Sequence, residues 1–158
     1  MRRTSPIIAA LLAVLSTAGP AAAADIWSVG AGRGGIEAAI DNVRDGSFAV
    51  ACPNGTRRLE LVLEVRRPGP RTVGDDVDVV FAVDGRDHPF PFRVSAALPT
   101  SATLLWRGEP AALPVFLEAL RRGRALEIRI AGLQRVERFP LRGSAAAIDR
   151  VMDTCRTG

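Results

Sequence analysis

The sequence predicts a mainly β protein, an antiparallel β-sandwich or flattened barrel of about seven or eight strands with two short helices. Short segments in which every second residue is apolar recur along the chain, and glycine, proline and aspartate clusters separate them. Apolar residues follow helical spacing in two segments, one before Gly123 and one at the C-terminal end. Because helices do not alternate with strands, the pattern disfavours a parallel α/β fold.

The first 24 residues have the pattern of a secretory signal peptide. Arg2 and Arg3 precede an apolar run at residues 7–15, which is too short to span a bilayer. Small residues at 22–24 suit signal peptidase, so we expect cleavage near Ala24 and a periplasmic or secreted protein. The paired arginines leave a twin-arginine export route as an alternative to the Sec route. We expect residues 25–158 to form a single β-sandwich domain without a transmembrane segment.

The first half of this domain contains the clearest alternation. Gly30 to Gly35 match the G-x-G-x-x-G spacing of dinucleotide-binding turns, but hairpins follow instead of a βαβ unit. We therefore predict a flexible glycine loop there and no cofactor. Predicted strands in this half are residues 36–41, 47–52 and 58–65, and residues 25–29 are a possible edge strand.

The second half opens with a proline- and glycine-rich loop at residues 66–76. Pro89 and Pro91 cannot donate to a sheet ladder, so the strand that contains them is predicted to be an edge strand. A helix begins near Pro110 or Pro114 and ends before Gly123. The other predicted strands are residues 77–83, 103–106, 125–131 and 136–141, with the proline strand at about 89–96.

The C-terminal helix and the two cysteines organise the predicted fold. Ser144 suits the N-cap, where its hydroxyl would accept from a first-turn amide. Cys155 lies on the apolar face of this helix, and Cys52 lies in an early strand. Two cysteines in an exported chain usually pair, so we predict a disulfide that fastens the last helix to that strand. Two buried free thiols, or a bridge between molecules, are the alternatives.

Charge and aromatic content argue against a nucleic-acid partner. All 21 basic residues are arginine, which fits a GC-rich genome, and the formal net charge is only +4. Loss of Arg2 and Arg3 with the signal peptide would lower that charge by two. The chain has no tyrosine, and export separates it from nucleic acid.

Candidate site residues are few. The chain has one histidine, His88, and no G-x-S-x-G nucleophile turn, so no catalytic residue is assigned. We expect no metal site, because one histidine and bridged cysteines leave too few zinc ligands. Arg66, Arg67 and Arg71 share the loop at residues 66–76 and form a possible binding loop for an anionic surface.

Several short segments carry a family resemblance. They are Trp27, the strand at residues 48–52, the hairpin at 83–85, and residues 139–144 with the helix that ends in Cys155. Together they resemble the invasion-associated locus B type of bacterial periplasmic proteins. The resemblance implies a β-sandwich without established catalytic residues, and it supplies no site residue.

The functional prediction is a non-enzymatic periplasmic module that binds a protein or a cell-envelope component. It rests on export, a disulfide and the lack of a catalytic constellation. One alternative is an inhibitor of an envelope enzyme that acts through residues 66–76. Another is a hydrolase with an unrecognised site near His88.

Overall fold

The computed structural model describes residues 26–32, 34–42, 46–54, 56–134 and 136–157. The predicted signal peptide, with its cleavage point near Ala24, lies outside these residues. Within the described part of the chain, no helix combines the length and apolar character needed to cross a bilayer.

The described strands form one antiparallel sheet in the order β1-β2-β3-β4-β7-β6-β5-β8-β9. The mainly β antiparallel class with two α-helices is confirmed, and the sheet has nine strands among the described residues. The strands are β1 (Ser28–Gly32), β2 (Gly35–Asn42), β3 (Gly46–Pro53), β4 (Leu59–Arg66), β5 (Asp76–Val83), β6 (Arg86–Leu98), β7 (Ser101–Gly108), β8 (Ala125–Ile130) and β9 (Val136–Pro140). A 3₁₀ turn (Pro110–Ala112), α1 (Pro114–Arg122) and α2 (Ser144–Thr157) complete the chain.

The core lies on the inner face of the curled sheet. Alternate residues of each strand point there, and Leu59, Leu61 and Leu63 of β4 are fully buried, as their period of two predicts. Each such side chain contributes about 2 kcal/mol of burial free energy. Four phenylalanines fill the centre of this core: Phe48, Phe81, Phe92 and Phe139.

The two ends of the sheet approach each other through side chains. Asn42 at the end of β2 donates from Nδ2 to the Arg138 carbonyl in β9, at 3.3 Å. Trp27 donates from its indole to Pro140 O at 3.2 Å and from its backbone to Arg142 O at 3.3 Å. These bonds curl the sheet towards a flattened barrel and occupy carbonyls of the β9 edge.

The predicted glycine loop at residues 30–35 is wrong, because most of it is strand. β1 ends at Gly32 and β2 begins at Gly35, so the two strands form an antiparallel hairpin with direct pairing of these glycines. A side chain at Gly35 would place its Cβ only 2.1 Å from the Cys52 carbonyl oxygen of β3. This glycine therefore serves close strand packing instead of phosphate binding.

The prediction that the proline strand is an edge strand is also wrong for the strand as a whole. β6 lies between β5 and β7 in the sheet. Its first half, with Pro89 and Pro91, pairs with β5 alone, and its pairing with β7 begins at Arg93. The prolines lie where β6 has no β7 partner, so no carbonyl of β7 needs the N–H groups that proline lacks.

The two α-helices pack against each other through Ser144. Its buried hydroxyl lies 2.6 Å from Leu120 O of α1 and 2.7 Å from Leu141 O, so its single proton is shared between these two carbonyls. The predicted role as an N-cap acceptor is therefore wrong. The hydroxyl is used as a donor because the end of α1 presents an unpaired carbonyl at this position.

The predicted disulfide between Cys52 and Cys155 is confirmed. It joins β3 to the last turn of α2 across 103 residues, with a Cα–Cα distance of 5.7 Å. Ile148 and Val151 on the same helix face are fully buried against the sheet. The helix is thus held by apolar packing along its length and by a covalent bond at its end.

Candidate functional site

The sheet opens where β6 and β7 separate. The two strands pair at Arg93 and Leu105, and their register shifts between Val94 and Ala96. Ser95 is therefore the extra residue of a β-bulge, a feature that bends a strand. Before Arg93, β6 pairs only with β5, and after Leu105, β7 pairs only with β4, so no backbone ladder joins β6 and β7 there.

Two connected grooves lie over this opening, and we call them together the outer groove. One has a volume of about 660 Å³ and the other about 540 Å³, and they share three residues on β6 and β7. The first runs over β4 and β7 and is lined by Pro53, Thr56, Arg58, Glu60, Ser95, Leu105 and Arg107. The second adds Val73, Gly74, Asp76, Pro91, Phe92, Arg93, Val94 and Trp106.

A partly buried ion pair lies in the outer groove. Glu60 of β4 is directly opposite Arg107 of β7, and Oε1 accepts from Arg107 Nε at 2.6 Å. The Glu60 side chain is 10% exposed, whereas the Arg107 side chain is 63% exposed. A largely buried carboxylate without a partner is costly, so the bond to Arg107 stabilises Glu60. The same bond holds the Arg107 guanidinium in the groove.

Two further arginines line the same groove. Arg93 donates from Nε to Asp76 Oδ1 at 3.2 Å, and both side chains are well exposed. Arg58 is exposed, and its side chain makes no ion pair with any described residue. The groove therefore presents guanidinium groups while its two carboxylates already have partners.

Aromatic side chains line the inner side of the opening. Trp106 and Phe90 are half-buried and meet in a T-shaped contact with ring centroids 5.6 Å apart. A Cβ at Gly108 would lie 2.1 Å from the Trp106 ring, so this glycine lets the indole lie back along β7. Phe116 of α1 contacts Phe90 from behind, at 5.0 Å. The opening thus gives access to the edge of the aromatic core.

His88 lies near this aromatic cluster, half-buried in β6 opposite Phe81. Its ring is 5.3 Å from Phe116, and Nε2 is buried without a hydrogen-bond partner among the described residues. Burial lowers the pKa of His88, Arg86 lowers it further, and Asp87 opposes the shift. A serine hydrolase needs a hydroxyl within reach of its histidine, and the described residues present none to Nε2.

The possible binding loop is largely tied to the body of the protein. Arg71 donates from Nη2 to Ala131 O at 2.6 Å, which fastens the loop to the turn after β8. The Arg67 backbone donates to Thr100 O at 2.8 Å. Arg66 is the last residue of β4. Arg66 and Arg67 remain exposed, so a binding role for these arginines stays a prediction.

The sequence pattern did not bring together the residues that define the outer groove. Glu60 and Arg107 are both on polar faces of their strands, and only the strand order places them opposite each other.

Glu137 is fully buried in β9, although its carboxylate makes it an unusual core residue. Its position two residues before Phe139 in a strand was the available signal, since both side chains must point inward.

The fold and the outer groove together define a class of protein. The class is a mainly β protein with a single curled sheet, a C-terminal helix held by a disulfide, and an arginine-lined groove on the outer face. The sequence model of the YfjT family matches residues 25–148, which is most of the chain. The chain therefore belongs to the YfjT family.

Solved structures confirm the resemblance at the level of the fold. The crystal structure of invasion associated protein B from Bartonella henselae is similar to this chain with a TM-score of 0.57. The match covers 84% of this chain and 95% of that chain, at 17% sequence identity. A comparison with curated proteins found no match.

Proposed function

We propose that this protein is an exported, non-enzymatic binding module that holds a protein or a cell-envelope component in the outer groove. The observation that carries the proposal is the pair of connected grooves over the β6–β7 opening. Their combination of apolar and aromatic surface with a few placed charges is typical of ligand sites. Arg107 is held there by its 2.6 Å bond to Glu60.

Export is supported by the covalent structure of the domain. The Cys52–Cys155 disulfide suits an oxidising compartment, where such bonds form and persist. The N-terminal pattern of Arg2, Arg3 and the following apolar run agrees with that compartment. We therefore place the working site of the protein in the periplasm or outside the cell.

A capture experiment with matched variants tests the proposal. The oxidised protein is immobilised and exposed to envelope extract, beside Leu105→Glu in the groove and Val115→Glu on α1. Val115 is 65% exposed, so its variant adds the same charge and bulk away from the groove. We expect the wild type and Val115→Glu to retain the same component and Leu105→Glu to lose it.

The identity of the captured component separates the functional alternatives. An enzyme that is inhibited on capture favours the inhibitor hypothesis, in which residues 66–76 reach the partner. Equal capture by all three proteins, each with a normal thermal melt, contradicts a role for the outer groove.

A further inference from the structure

The outer groove has more hydrogen-bond donors than acceptors available to a ligand. Arg93 and Arg107 each pair with a carboxylate through Nε, which leaves their Nη groups without hydrogen bonds to described residues. Arg58 has no ionic partner there, and the Trp106 indole N–H donates to no described residue. A ligand that matches this surface must supply acceptors, and carboxylates suit guanidinium groups best.

The three arginines form a regular diagonal row across the sheet. Arg93 is opposite Leu105, and Arg107 is two residues further along the same strand. Arg107 is opposite Glu60 on β4, and Arg58 is two residues before it. Neighbouring strands are about 4.8 Å apart and two residues span about 7 Å, so each step of the row is about 8 Å.

This spacing is close to that of an extended polypeptide. Alternate side chains of a β-strand point to the same face and are about 7 Å apart. A strand-like segment with acidic side chains at every second position can therefore place one carboxylate near each of Arg58, Arg107 and Arg93. Leu105, between two of these arginines, offers an apolar surface to the segment's backbone and small side chains.

We propose that the outer groove binds an acidic, extended segment of a partner polypeptide. This inference rests on the proposed function and names the chemistry of its ligand. A polypeptide fits better than an anionic membrane, because the three arginines form a single row with nearly the spacing of alternate residues in a strand. The same groove also contains the carboxylates of Glu60 and Asp76, which would repel a continuous anionic surface.

Synthetic peptides test the inference directly. The probes are a peptide of alternating Glu and Thr, its uncharged match of alternating Gln and Thr, and vesicles that contain phosphatidylglycerol. We expect calorimetry to detect the acidic peptide alone, with an affinity that falls as salt rises. Arg58→Gln should weaken its binding about fivefold to tenfold, as expected for one lost contact to a charged group.

Matched variants separate the groove from general charge. Arg142→Gln removes one exposed arginine from the turn before α2 and should leave peptide affinity unchanged. Arg107→Gln should abolish measurable binding, but it also leaves buried Glu60 without its partner, so its thermal melt is recorded. Arg58→Gln keeps the test valid if Arg107→Gln does not fold, because Arg58 has no ion pair with the described residues.

The outcomes distinguish this inference from the proposed function. Equal binding of the charged and uncharged peptides, both lost in Leu105→Glu, overturns the acidic preference and keeps the groove as a binding site. Binding to vesicles without binding to the acidic peptide also overturns the inference. If Leu105→Glu captures the envelope component as well as the wild type does, the proposed function fails independently of any peptide result.

Discussion

Two regions of this protein differ in how many of their hydrogen-bond donors are used within the fold. The disulfide region consists of Trp27, β1 to β3 and α2. In this region Trp27 and Ser144 donate hydrogen bonds to backbone carbonyls, and Cys155 is bonded covalently to Cys52. In the outer groove, Arg93 and Arg107 use only part of their donors, and Trp106 is half-buried. The stability of the fold should therefore depend on the first region and recognition on the second.

The sharpest test of this division is loss of the disulfide. Cys155→Ser should lower the free energy of unfolding by about 4 kcal/mol, because the bridge restricts a long loop in the unfolded chain. Urea denaturation measures this loss, and the variant should melt at the temperature of the reduced wild type. Equal melting of oxidised and reduced protein would show that apolar packing alone holds α2.

The two tryptophans give the most direct comparison of the regions. Trp27→Leu removes a buried indole, its bond to Pro140 O and its edge contact with Phe48, so we expect a loss of about 3 kcal/mol. Trp106→Leu should cost about 1 kcal/mol, because that ring is half-buried. Urea denaturation and envelope capture are measured on both variants.

The two substitutions should affect capture in the opposite order to their effects on stability. Trp106→Leu should lose the captured component while it remains folded, and Trp27→Leu should retain it below its melting temperature. If both variants lose stability and capture to the same extent, the protein behaves as one cooperative unit and the division into two regions is wrong.

A smaller effect is expected at the contact between the helices. Ser144→Ala removes the donor to Leu120 O and Leu141 O, and at a buried site this should cost about 1–2 kcal/mol. Ser28→Ala is the matched control, because its hydroxyl makes only a long, exposed contact of 3.5 Å with Ala39 O. A change within about 0.5 kcal/mol is expected for the control in the same denaturation experiment.

Local sequence patterns predicted part of the disulfide region. The apolar alternation at residues 47–52 and the helical spacing before Cys155 each indicated an element that neighbouring residues determine, whereas the glycine spacing at residues 30–35 did not reveal the hairpin of β1 and β2. The use of the Ser144 hydroxyl could not be predicted in the same way. Its partner Leu120 lies 24 residues earlier, and only the packing of the helices brings that carbonyl to it.

The outer groove could not be predicted because it depends on strand order. β4 pairs with β7, so Glu60 meets Arg107 across 47 residues of intervening chain. Pro89 and Pro91 did indicate a place where the hydrogen-bond ladder is incomplete. The sequence pattern could not show that only half of the strand is affected, so it predicted an edge strand. Proline within a strand-like sequence is compatible both with an internal opening and with an outer edge of a sheet.

The smallest expected effect is a pH dependence at the inner side of the opening. The pKa of His88 lies below its ordinary value of 6.5, chiefly because burial disfavours the imidazolium and secondly because Arg86 is near. An unfolded chain then binds the proton more readily than the folded protein does. The contribution of His88 to stability is therefore complete above pH 6.5 and is lost as pH falls through the folded pKa.

His88→Gln should remove this dependence and leave the rest of the titration unchanged. Urea denaturation of both proteins at intervals from about pH 7 to pH 5 should show the wild type losing stability relative to His88→Gln as the pH falls. Parallel curves would mean that water reaches the imidazole freely. In that case the opening between β6 and β7 would be wetter than the burial of Nε2 against the Phe116 ring indicates.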